Sequence, residues 1–70
     1  MYESQMTSVI WSDHCDNNVV ATCELTEIAV IAAAMLNKAY KLNRARKYTA
    51  SARIHHAVRE LPGFKWIEPA

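Results

Sequence analysis

The sequence predicts a small α+β fold, mostly helical: an N-terminal β-hairpin, an antiparallel two-helix hairpin and a short apolar C-terminal tail. Three observations predict it. Two runs rich in β-branched and aromatic residues, Thr7 to Trp11 and Val19 to Cys23, flank a polar stretch. Apolar residues recur at helical spacing between Glu24 and Leu61. The chain has one Gly and two Pro, which favours helices over a meander of short strands whose tight turns need positive φ.

The hairpin spans residues 7–23. Ser12 to Asn18 separates its strands, and Asp16-Asn17-Asn18 supplies turn chemistry. The first helix spans 24–43, with Thr26 as its cap and Glu27 in the first turn, where the helix dipole favours an acid. On a helical wheel Leu25, Ile28, Ala29, Ile31, Ala32, Met35, Leu36, Ala39, Tyr40 and Leu42 cover about half the circumference. The other side carries Glu27, Asn37, Lys38 and Lys41, together with Val30 and Ala34. A stripe this wide exceeds what one neighbouring helix covers, so its second flank needs the hairpin or another copy of the chain. Ala32-Ala33-Ala34 permits close backbone approach.

The second helix spans 47–61, with Ala50, Ile54, Ala57, Val58 and Leu61 on one face. Nothing between Glu24 and Leu61 forbids one continuous helix. In that arrangement, however, Asn43, Arg46 and Lys47 interrupt the apolar stripe, and Asn43 suits a helix end, so a break falls between Asn43 and Arg46. Pro62-Gly63 stops the second helix. The tail, 62–70, carries Phe64-Lys65-Trp66-Ile67, which is too apolar to be free and is expected to fold back as a short strand beside the hairpin.

Seventy residues make one small domain with a marginal core. Apolar residues are 51% of the chain, but eleven are Ala, so the buried volume is smaller than that share implies. Chains of this size often draw stability from a partner or a second copy. Homodimerisation through Ile28, Ile31, Ala32 and Met35 is therefore the expectation.

Charge is segregated although the net value is only +1. Before Lys38 the acids are Glu3, Asp13, Asp16, Glu24 and Glu27, with no base. From Lys38 to Arg59 stand Lys38, Lys41, Arg44, Arg46, Lys47, Arg53 and Arg59, with no acid. The ordinary reading is two solvated surfaces. The functional reading is a basic binding site. Its bases do not form one stripe, because Arg53 and Arg59 fall on different flanks of the second helix. The dense group is the loop from Arg44 to Lys47, bracketed by Tyr40 and Tyr48. The expected partner-binding residues are Lys41, Arg44, Arg46, Lys47, Tyr48, Arg53 and His56.

The chemistry-bearing residues point away from catalysis. His14-Cys15 beside Asp13 and Asp16 invites a nucleophile reading, but adjacent residues in a strand point to opposite faces, and no Gly-rich oxyanion loop accompanies them. His14, Cys15, Cys23, His55 and His56 are zinc-ligand types at spacings that match no usual zinc pattern. His55 and His56 read as solvated histidines flanking the apolar stripe. Two Cys without a disulfide-dense pattern, and no positive N-terminal region leading an apolar run, make a cytoplasmic setting the expectation. The longest apolar run, Ile28 to Leu36, is too short for a membrane span.

The expectation is thus a non-enzymatic interaction or regulatory protein without a cofactor. It binds a larger macromolecule, with a protein as the leading partner and nucleic acid as the alternative. The low net charge and the lack of a DNA-reading or RNA-stacking signature weigh against nucleic acid.

Overall fold

The computed structural model describes residues 1–13 and 16–67. Four strands and two helices follow one another: β1 Tyr2–Gln5, β2 Ser8–Ser12, β3 Asn17–Thr22, α1 Thr26–Arg44, α2 Tyr48–Arg59 and β4 Lys65–Trp66. The strands form one antiparallel sheet in the order β1-β2-β3-β4. Both helices lie on one face of it.

The expected hairpin is β2–β3, the helical hairpin is α1–α2, and the tail returns as β4 beside β3, pairing Trp66 with Ala21 and Lys65 with Thr22. The sheet is nevertheless a meander, despite the shortage of Gly. Its β1–β2 loop has two residues, Met6 and Thr7, and Met6 itself takes the left-handed φ of 53°. Between β2 and β3 the Asp13 N–H donates to the Asp16 carbonyl (3.1 Å) and the Asp16 N–H to Asp13 Oδ1 (2.8 Å). Opposite Val9 and Ile10 on β2, β3 holds one extra residue, Val20, a β-bulge. Val20 packs against the core, and its carbonyl accepts the Ile67 N–H at 2.9 Å, which extends the attachment of the tail.

The core lies between helices and sheet. Val9, Leu36 and Val58 are its largest fully buried side chains, and Ala21, Ala29 and Ala32 are fully buried in the same cluster. Ser51 is buried at the α1–α2 contact and donates its Oγ–H to the Ala39 carbonyl at 3.0 Å, tying the helices together. Cys23 is a buried thiol whose pKa is raised by burial. Leu61-Pro62-Gly63-Phe64 forms a turn closed by the Phe64 N–H on the Leu61 carbonyl (3.1 Å), with Gly63 at φ 72°. That turn drives Phe64 into the core.

Three expectations change. Thr26 does not cap α1. The capping position is Leu25, in extended conformation and without a side-chain hydrogen bond, and Thr26 is the first helical residue. Asn37 is half-buried and hydrogen-bonded, although the wheel places it on the outer side. The expected dimer surface is mostly internal: Ala32 is fully buried, and Ile28 and Met35 pack against the core. Only Ile31 of that set is exposed. The sheet covers the second flank of α1, so that flank needs no second copy. Among the described residues no helix is long and apolar enough to cross a membrane.

Candidate functional site

The corner between α1 and α2 is built from backbone geometry that its own residues do not favour. The Arg46 N–H donates to the Asn43 carbonyl at 3.0 Å and the Lys47 N–H to the Leu42 carbonyl at 2.9 Å. This is a Schellman ending, and Arg46, at φ 63°, occupies the left-handed position where Gly is the usual residue. Lys47 is next. It is the capping residue of α2, with no side-chain hydrogen bond, and its carbonyl accepts the Ser51 N–H at 3.0 Å. Ser, Thr, Asp or Asn would satisfy an open N–H there, and a cation faces the positive end of the α2 dipole.

Of the seven residues expected to bind a partner, all are exposed. Lys41, Arg44, Arg46, Lys47 and Tyr48 cluster at this corner and the last turns of α1. Arg53 and His56 lie further along α2 and do not join them.

Beside the corner runs a groove of about 560 Å³ that the sequence does not reveal. Trp11 of β2 and Tyr40 of α1 form its apolar floor, with ring centroids 5.2 Å apart. Asn37, Lys41 and Arg44 line the helix side, and Met1 and Asp13 the sheet side. The aromatic chain continues to Tyr2, whose ring meets Trp11 edge-on at 4.8 Å. Burial, and secondarily the neighbouring Tyr40, raise the pKa of the Tyr2 phenol. The Arg44 guanidinium sits 5.9 Å from the centroid of the Tyr40 ring, a cation–π distance. Trp11 and Tyr40 are 29 residues apart in sequence, so only the packing of α1 on β1 and β2 brings them together.

A second depression, of about 490 Å³, is lined by His55, His56, Arg59, Ala52 and Trp66. His55 stacks over Trp66 at 6.4 Å between centroids. The two histidines are exposed as expected, but one of them rests on the returned tail.

The candidate nucleophile pair His14-Cys15 lies outside the described residues, and so does that part of the candidate zinc set. Cys23 is enclosed in the core. Among the described residues no three His, Cys, Asp or Glu side chains gather as metal ligands would. No family model, curated protein or solved structure matches the chain.

Proposed function

We propose that this chain is a non-catalytic interaction protein that binds an acidic segment of a larger protein at the α1–α2 corner. Arg46 and Lys47 receive the acidic side chains. An apolar or aromatic side chain of the partner enters the groove over Trp11 and Tyr40, with Lys41 and Arg44 at its rim. The observation that carries the reading is the conflict at Arg46: a charged residue stands at φ 63°, where Gly would stabilise the fold. Lys47 conflicts with its capping position in the same way. Strained or ill-suited residues that persist side by side on a surface are a mark of binding sites.

The test uses an Asp- and Glu-rich peptide carrying one Phe, followed by Trp fluorescence. In the Arg46→Gly, Lys47→Ser double variant, melting temperature is expected to rise while affinity at low salt falls by roughly tenfold. A double variant that binds the peptide as the wild type does removes the corner from the reading.

A second reading is single-stranded nucleic acid, favoured by aromatic rings beside cations in the groove. A single-stranded oligonucleotide in the same assay separates the two. Binding that exceeds the peptide's and falls steeply with salt selects nucleic acid.

A further inference from the structure

We propose that the outer face of α1 is a homodimer seam, on which two copies of this chain pack α1 against α1 in antiparallel orientation. The inner side of α1 is already used: Ala29, Ala32, Ala33, Leu36 and Ala39 are buried against α2 and the sheet. The outer side leaves two β-branched apolar residues open, Val30 at 52% and Ile31 at 46% exposure, with Ala34 exposed beside them. Glu27, Ile31, Ala34, Lys38 and Lys41 follow one another at alternating intervals of four and three, the spacing of a two-helix seam. All five are exposed.

The charges select both the partner and the direction. Glu27 is the acid of α1 and stands in its first turn, while Lys38 and Lys41 lie toward its C-terminal end. A parallel pair of α1 helices would set Glu27 against Glu27 and lysine against lysine. An antiparallel pair, with its two-fold axis between Ile31 and Ala34, sets Glu27 opposite Lys38 of the second copy at both ends. The same axis places Ile31 over Ala34 of the second copy, where the small side chain lets the helices approach. The helix dipole accounts for an acid at one end and bases at the other. It does not account for the open apolar centre between them, and a self-complementary surface covers that centre.

This seam meets the site proposed above only at Lys41, its last member, which also lines the groove. Arg46 and Lys47 lie beyond its end, so the dimer carries two corners, one at each end of the seam. α1 is roughly 28 Å long, so the seam is at the small end of specific interfaces, and the expected dissociation constant is about 10–500 µM.

Sedimentation velocity from about 10 µM to 1 mM tests the proposal, with far-UV circular dichroism melts confirming that each variant folds. The wild type is expected to shift from monomer to dimer across this range, less completely at high salt. Ala34→Arg, at an exposed position, is expected to stay monomeric throughout. Glu27→Lys is expected to weaken association, and Glu27→Lys with Lys38→Glu to restore it, which a purely structural role of either residue does not predict. A wild type that remains monomeric near 1 mM overturns the seam, as does a folded Ala34→Arg variant that dimerises as before.

Discussion

Asn37 grips Tyr2 by both of its peptide groups. The Tyr2 N–H donates to Asn37 Oδ1 at 2.6 Å, and Asn37 Nδ2 donates to the Tyr2 carbonyl at 2.7 Å. On the other side of β1, the Met1 amine donates to the Ser12 carbonyl at 2.9 Å and the Ser12 N–H donates to the Met1 carbonyl at 3.0 Å. Tyr2 is therefore at a position whose own N–H and C=O point away from β2. The helix side chain takes the place of the missing neighbouring strand and satisfies an edge that would otherwise lie open.

Asn37→Ala should therefore free both groups and destabilise the fold by about 1–3 kcal/mol, since the pair is partly buried. Asn37→Asp keeps the acceptor but turns a carboxylate oxygen toward the Tyr2 carbonyl, so it should be no better than Ala at neutral pH. Urea unfolding measures the loss. Amide exchange should accelerate at Tyr2 while the α2 amides keep their protection relative to global unfolding. Uniform acceleration would mean that β1 is not a separately attached edge.

Arg46→Gly should raise stability by about 1 kcal/mol, because Gly adopts the left-handed conformation without a Cβ penalty. For a domain of this size that is a melting-temperature gain of roughly 4–8 °C. Arg46→Ala provides the control. It removes the charge but keeps the Cβ, so it should gain little. Equal gains for Gly and Ala would assign the effect to charge repulsion at the corner instead of backbone strain.

What the sequence makes legible follows from the range of each signal. The α1 and α2 stripes are local and periodic, so their existence and the break between them can be read directly. The β2–β3 strands carry β-branched residues around a polar stretch and are equally local, although Asn17 and Asn18, expected in the turn, instead begin β3 and pair with Ser12 and Trp11. β1 is different: Tyr2-Glu3-Ser4-Gln5 has no strand pattern, and Asn37, 35 residues away, helps hold it. The same contact explains why the wheel misplaces Asn37, since a polar residue on a helix flank can serve a strand edge as well as solvent. The groove is hidden for the same reason, because Trp11 and Tyr40 carry no shared motif. The wide apolar arc of α1 was readable, but whether sheet or second copy covers it depends on tertiary packing. The basic corner was readable as charge, while the unfavourable backbone position of Arg46 was not.

Gly63→Ala should be costly for two independent reasons. Gly63 has φ 72°, and a Cβ built there would stand 2.6 Å from Glu24 Cγ. The expected loss is about 1–2 kcal/mol from the backbone conformation alone. Adding Glu24→Ala clears part of the collision, so the double variant should recover some stability but not all of it. Thermal melts of the four proteins in this cycle decide. Full recovery would show that the left-handed turn carries no strain, and no recovery would show that the Glu24 contact is irrelevant.

Alkaline pH should weaken the fold through one buried thiol and one partly buried phenol. The Tyr2 phenol has its pKa raised above the ordinary value of 10.0, first by burial and then by the neighbouring Tyr40. The Cys23 thiol is raised above 9.0 by burial. Both groups are neutral when protonated, so above these ordinary values the unfolded chain loses protons that the folded chain retains. The unfolded state then binds fewer protons, and stability falls as pH rises. The loss should begin near pH 9 with Cys23 and steepen past pH 10 with Tyr2, while neutral pH leaves both contributions intact. Tyr2→Phe keeps the ring against Trp11 and removes the ionisable hydroxyl. Its melting temperature should therefore decline less than that of the wild type between pH 10 and 11. Parallel declines in the two proteins would place the alkaline loss at Cys23 instead of Tyr2.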